Sequence, residues 1–359
     1  MKILQGGKYM ISVCIIVKNE EKLIEKCLKH LLPLEYEIVV VDTGSTDNTK
    51  AVAAKYTDMV FDYEWQQDFA AARNFAISKA TNDYILMIDS DEILLSYDRK
   101  ELEELIKLYP DRIGRIGIIS EYVRGNEKYK VKSQVSRLFS KKLFCYRGSI
   151  HEQIVPINNN NGVPVTYNAP LLVNHSGYDG ELEVRRKKTE RNINLLLKEL
   201  KDKGDDPYIL YQLGKSYYMQ EDYPAACEAF WKALYFDLDP KLEYVQDMVE
   251  SYGYALLNSN QYETALQLLG VYDEFAVNAD FVFLIGLIYM NNAMFTEAIS
   301  EFLKAAKMTE YKMEGVNSYL AFFNIGVIHE CLGNTEKAIK YYKKCGNYEK
   351  AQERLRNIR

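Results

Sequence analysis

The chain has little that would tie it to a membrane, a secretory route or a nucleic acid. Nowhere in its 359 residues is there an uninterrupted apolar run of about 18 residues, so no membrane span is expected. Met1 to Met10 carries Lys2 and Lys8 but no apolar stretch of signal-peptide length. Basic residues are not in excess: 45 Lys and Arg face 51 Asp and Glu, and the net charge of −6 argues against a general nucleic-acid binder. The six cysteines are scattered with no C-x-x-C pair, which predicts buried free thiols in a reducing compartment. Neither G-x-G-x-x-G nor G-x-x-x-x-G-K-[ST] occurs, so no dinucleotide fingerprint or P-loop is indicated. The expectation is a cytoplasmic, soluble protein of roughly two domains.

What is present is organised around Tyr84-Ile85-Leu86-Met87-Ile88-Asp89-Ser90-Asp91-Glu92. The apolar run reads as a strand buried on both faces, and it ends in three carboxylates among four residues. Acids at the end of a buried strand are costly unless a cation or hydrogen-bond donors meet them. Asp89 and Asp91 can both reach one hard divalent ion completed by water and diphosphate oxygens. The plainer reading is an acidic turn capping a following helix.

Upstream, Ile11 to Val17 and Glu37 to Asp42 read as buried strands, with a short strand at Met59 to Phe61. Helical spacing covers Glu20 to Leu32, Thr49 to Tyr56 and Asp68 to Ala80. This alternation predicts an α/β domain with a parallel, doubly wound sheet. Asn19-Glu20, Asp42-Thr43-Gly44-Ser45 and Asp89-Ser90-Asp91 each follow a strand, so they should converge on the edge where such sheets bind ligands.

These segments, with Trp65, Asp68-Phe69-Ala70 and Ala72-Arg73-Asn74, together resemble the family-2 glycosyltransferases of GT-A fold. The likeness covers roughly residues 10–180. It implies that Asp42 and the strand-one residues near Val17 and Glu20 hold the nucleobase and ribose of a UDP-sugar, that Gly44 and Ser45 also bind the donor nucleotide, and that Asp68 and Arg73 lie near the diphosphate and sugar. It also implies that Asp89, Ser90 and Asp91 hold the donor and its metal. The chemistry fits: a carboxylate at Asp42 can accept the imide N–H of uracil, and Arg73 can neutralise phosphate with a planar fork of donors. The plainer alternatives are that Asp42 caps the next helix and that Arg73 pairs with Asp68.

Ile113 to Tyr122 and Lys130 to Phe139 read as hairpin strands joined by Arg124-Gly125-Asn126-Glu127. Beyond them, Tyr146 to Glu152 and Leu171 to Tyr178 resemble the closing segments of the same domain, and they carry two of the four histidines. By that resemblance Glu152, with His151 beside it, occupies the region of the catalytic base, and His175 that of a third metal ligand. Imidazole beside two carboxylates favours manganese over calcium, with magnesium as the alternative. The plainer reading of Glu152 is an ion pair with Arg147.

A linker helix is expected over residues 181–206, and from Pro207 the chain is helical and repetitive. Four units recur, at Leu213-Gly214…Phe230, Tyr252-Gly253…Leu269, Ile285-Gly286…Phe302 and Ile325-Gly326…Tyr342. They resemble tetratricopeptide repeats, whose period is about 34 residues. The second is degenerate, and Tyr348 to Arg359 would cap the array.

The combined expectation is a GT-A domain at 10–180, a linker helix and a repeat domain at 207–359. The activity implied is a metal-dependent, inverting transfer from a UDP-sugar to a peptide or protein acceptor. A similar architecture occurs in bacterial peptide glycosyltransferases, including those acting on bacteriocin cysteines. Competing readings are a glycosyltransferase of lipopolysaccharide core or other surface glycan, a non-catalytic repeat scaffold, and a nucleotidyltransferase. The repeats would bind the acceptor, brace the catalytic domain or form a homodimer.

Overall fold

The computed structural model describes residues 11–124, 127–158, 164–175 and 182–358. Two compact units divide the chain, Met1–Glu181 and Leu182–Arg359.

The first unit runs β1 (Ile11–Val17), α1 (Glu21–Leu31), β2 (Glu37–Asp42), α2 (Thr49–Ala53), β3 (Val60–Asp62), α3 (Phe69–Lys79) and β4 (Tyr84–Met87). It continues with β5 (Glu92–Tyr97), α4 (Arg99–Leu108), β6 (Ile113–Arg124), β7 (Glu127–Ser140), β8 (Phe144–Arg147), β9 (Gln153–Pro156) and β10 (Thr166–His175). α1 gives way to a 3-10 turn over Leu32–Leu34 because Pro33 cannot continue the α-helical ladder. α2 stops at Ala53, well short of the expected Tyr56.

One sheet has the order β3-β2-β1-β4-β7-β6-β10-β5, and β8 pairs with β9 apart from it. The first four strands are parallel. Beyond β4 the sheet is mixed, since β7 is antiparallel to both β4 and β6 and β5 is antiparallel to β10. The expected parallel sheet is therefore half of the real one. A second departure is the strand after Glu92, where a capped helix was the plainer expectation; α4 begins only at Arg99, behind its own Asp98 cap.

β1 shows why these strands read as continuous apolar runs. Val13, Ile15 and Val17 join the core beneath α1 and α4, while Cys14 joins the core beneath α3. Both faces are covered, as parallel strands require. With β1 between β2 and β4, the three polar clusters emerge at one carboxyl edge. β10 is parallel to β6 and runs in the same sense as β4, so His175 ends at that edge too.

The second unit is helical: α5 (Leu182–Lys203), α6 (Pro207–Met219), α7 (Tyr223–Ala233), α8 (Glu243–Asn258), α9 (Tyr262–Ala265), α10 (Tyr272–Phe275), α11 (Ala279–Asn291), α12 (Phe295–Ala305), α13 (Tyr319–Cys331), α14 (Thr335–Lys344) and α15 (Glu349–Asn357). The repeat pattern rests on small-to-large contacts between paired helices. A Cβ on Gly214 would lie 2.5 Å from the Phe230 ring, and Gly286 and Gly326 stand likewise against Phe302 and Tyr342. In the degenerate second unit the stretch after α8 is broken into α9, a 3-10 turn over Leu266–Val271, and α10. No helix among the described residues is long and apolar enough to cross a membrane.

Candidate active site

The loops after β1 and β2 are laced into one wall. Asn19 N donates to Ser45 Oγ at 2.9 Å, and Thr46 N donates to Asn19 Oδ1 at 2.7 Å. Glu20 N donates to Thr49 Oγ1 at 2.8 Å, and the Val17 carbonyl accepts from Thr43 N and Oγ1. Glu20, Ser45 and Val17 thus contribute to the wall's framework. Gly44 sits at φ +96, a conformation favouring glycine.

Asp42 closes β2 and is only 4% exposed. Its Oδ1 accepts from Gly44 N at 2.9 Å and Ser45 N at 2.8 Å, a local turn and not a helix cap. Its Oδ2 is buried and has no hydrogen-bond partner among the described residues. A buried lone acceptor costs roughly 1–3 kcal/mol unless a ligand supplies a donor.

At the end of β4 the acids meet two arginines. Arg73 donates from Nη2 to Asp89 Oδ1 at 2.8 Å and from Nε to Glu152 Oε1. Arg137 donates from Nη2 to Asp89 Oδ2 at 2.6 Å and to Glu92 Oε1 at 2.8 Å. Burial works against an ionised Asp89, but Arg137 and Arg73 beside it hold its carboxyl well below the usual carboxylate range. Burial pushes the Glu92 carboxyl up, against the pull of Arg137. Tyr146 packs 5.5 Å from the Arg73 guanidinium, and burial raises its phenol to about 12.

The loop carrying Glu152 is pinned to the start of α3. Phe69 N donates to Ser149 O at 2.8 Å, and the Asn74 side chain clasps both the N–H and the carbonyl of Tyr146. His151 is in the left-handed region at φ +50. Asp68 accepts from Ala71 N at 2.8 Å and caps α3, so it does not pair with Arg73. Glu152 meets Arg73 rather than Arg147.

His175 lies opposite Glu92 across the β5–β10 pairing, which sets its Nε2 3.3 Å from Asp91 Oδ2. Burial lowers the imidazole's proton affinity, but the hydrogen bond and charge of Asp91 outweigh it and leave the pKa raised. Of the expected metal set, Asp91 and His175 face each other, while each oxygen of Asp89 accepts a hydrogen bond from a guanidinium group. Among the described residues no group of three or more His, Cys, Asp or Glu converges as a ready cage. One carboxylate and one imidazole still fit an ion that takes its remaining ligands from water and substrate phosphate.

Sequence reasoning assigned no role to Arg137. The signal was an arginine in the strand Ser136-Arg137-Leu138-Phe139, whose neighbours Leu138 and Phe139 are fully buried. A charge there demands buried partners, but which ones is a matter of strand register.

Residues 12–156 match the family described as glycosyl transferase family 2, and residues 279–311 and 319–352 match the tetratricopeptide repeat. The chain is 29% identical over 228 residues to the SPbeta prophage-derived glycosyltransferase SunS of Bacillus subtilis, covering 62% of this chain and 53% of that protein. A TPR repeat-containing protein of Synechococcus elongatus is 30% identical over 229 residues, 62% of this chain and 56% of its own length. The lipopolysaccharide core biosynthesis glycosyltransferase LpsC of Rhizobium meliloti is 31% identical over 166 residues, 42% of this chain and 59% of the relative. The chain thus spans about half the length of the curated relatives it matches. Its first unit carries a glycosyltransferase family 2 domain, and its second carries tetratricopeptide repeats.

Proposed function

We propose that the chain is a metal-dependent, inverting glycosyltransferase that moves a sugar from a UDP-sugar to a peptide or protein acceptor. The observation that carries the donor reading is Asp42, whose Oδ2, at the carboxyl edge of the sheet, is a buried acceptor lacking a donor among the described residues. Uracil N3–H supplies that donor, whereas cytosine presents an acceptor at the same place.

Glu152 is the candidate base. Deprotonating the acceptor as it attacks the anomeric carbon needs a carboxylate in place, and the loop contacts to α3 and the Arg73 pair hold Glu152 there. A divalent ion, manganese or magnesium, held by Asp91 and His175 would neutralise charge growing on the leaving diphosphate. Arg73 keeps a buried Nη1 donor without a hydrogen-bond partner among the described residues, the chemistry a phosphate oxygen satisfies.

The peptide acceptor is favoured by the repeat unit, since such arrays present extended binding surfaces. The likeness to LpsC favours a second reading, a surface-glycan acceptor, but it covers only 42% of the chain. Calorimetric titration of UDP with and without manganese, on wild type and Asp91→Ala, tests the donor site. Tight binding that needs manganese and disappears in Asp91→Ala is expected. Absence of UDP binding under both conditions overturns the proposal. Incubation with a radiolabelled UDP-sugar and either a peptide library or truncated lipopolysaccharide then separates the two acceptors.

A further inference from the structure

Arg137 lies on β7 one residue from Leu138, which stands opposite Leu86 of β4. Its side chain therefore starts beside the last residues before the acidic turn. It is 8% exposed, and one nitrogen serves both Asp89 and Glu92. Those two acids already bracket the turn: Asp89 N donates to Glu92 Oε2 at 2.9 Å, and Glu92 N donates to the Asp89 carbonyl at 3.0 Å. Arg137 closes this bracket into a ring around Ser90 and Asp91. The same ring fixes where Asp91 meets His175, because Glu92 is the residue that pairs with His175 across β5 and β10.

Among the described residues, the Glu92 carboxylate, 2% exposed, would have no cation touching it without Arg137, and Asp89 would keep only Arg73. Removing one partner of a buried pair strands the other, and the turn relaxes to rehydrate it. Lysine is a poorer substitute, since its shorter, flexible stem must bring a strongly hydrated ammonium to the buried point that Arg137 Nη2 occupies.

We propose that Arg137 is a positioning residue: by bridging Asp89 and Glu92 it sets the turn that presents Asp91 beside His175 to the metal–diphosphate end of the donor. This rests on the UDP-sugar reading above. It assigns Asp89 to the framework of the site, and the nucleobase wall of Asp42 lies outside its influence.

The test is calorimetric titration of the full chain with UDP, in manganese and in EDTA, for wild type, Arg137→Met and Arg137→Lys, with thermal melts alongside. In Arg137→Met the gain in UDP affinity that manganese confers is expected to fall at least about tenfold, equivalent to 1.4 kcal/mol. Affinity in EDTA should stay within about twofold of wild type, and Arg137→Lys should recover part of the gain. A general structural role would lower both affinities together, and that result overturns the proposal, as does an unchanged manganese gain. Should Arg137→Met fail to fold, Glu92→Gln removes the bridged charge while keeping its shape, and the same split is required of it. Wild-type protein that binds UDP without any manganese gain overturns this proposal and the metal dependence above, and leaves the UDP donor reading standing. Wild-type protein that binds no UDP overturns the transferase reading and this inference with it.

Discussion

Arg73 joins Glu152 to Asp89, donating from Nε to the one and from Nη2 to the other, across sequence separations of 79 and 16 residues. The candidate base and the acidic turn therefore share a single buried cation. A change at either end is felt through the guanidinium between them.

Glu152→Gln separates base chemistry from that framework, since an amide oxygen still accepts from Arg73 Nε. Turnover is expected to fall about 10²- to 10⁴-fold, with UDP affinity unchanged. Steady-state rates and UDP titration on the same preparation check this. Retained turnover would move the base elsewhere.

Asp42→Asn should keep the turn, because an amide oxygen accepts from Gly44 N and Ser45 N as Oδ1 does now. The amide then presents a donor where uracil also has one. UDP affinity should drop about tenfold, near 1.4 kcal/mol, and the ratio of CDP to UDP affinity should rise. Competition titrations with the two nucleotides read both numbers, and an unmoved ratio removes Asp42 from base recognition.

Glycine to alanine at 214, 286 or 326 sets two effects against each other. Alanine gains about 1 kcal/mol of helix propensity, but its Cβ would stand 2.5 to 2.7 Å from a ring carbon of Phe230, Phe302 or Tyr342. Those rings are fully buried and have little room to retreat, so each variant is expected to lose about 1–3 kcal/mol net. Chemical denaturation followed through the helical signal decides which effect wins.

Glu250, on α8, is buried and faces Lys312 at 3.4 Å, with Asn278, Asp247 and Asp280 close by. Burial lifts its carboxyl to about 7, above the ordinary 4.5, despite the opposing pull of Lys312. The folded state thus holds a proton that the unfolded state has released between those pH values. Stability contributed by the protonated form is full below 4.5 and is lost as pH rises towards 7. Asp247 is shifted the other way, to about 2, so its stabilising effect fades only as pH falls below 3.8 and does not interfere. Between pH 5.5 and 7.5 the wild type is expected to lose about 1–3 kcal/mol relative to Glu250→Gln. Paired melts at the two pH values measure the difference, and parallel curves would refute it.

Much of this was legible in the chain because it is local. Apolar runs at Ile11, Glu37 and Tyr84 are recognisable as strands from composition and length, and Pro33 ends α1 by its own covalent geometry. The glycine-to-aromatic spacing of the repeats survives in sequence because each pair of helices packs against its own neighbour. What was hidden lies where distant segments choose partners. β5 follows directly on the acid turn, so its first residue, Glu92, read as part of a cap, and its outer half is exposed. Nothing in β6, β7 or β10 tells by itself whether its neighbour runs parallel or antiparallel.

By itself the sequence determined two units, the strand-ended polar clusters that gather on one sheet edge, and the helical array, each written in short-range periodicity. Only the tertiary structure decided that Arg73 and Arg137 take up Asp89, leaving Asp91 with His175. A buried charge must find its counter-charge, and which one it meets depends on strand order and register across the sheet.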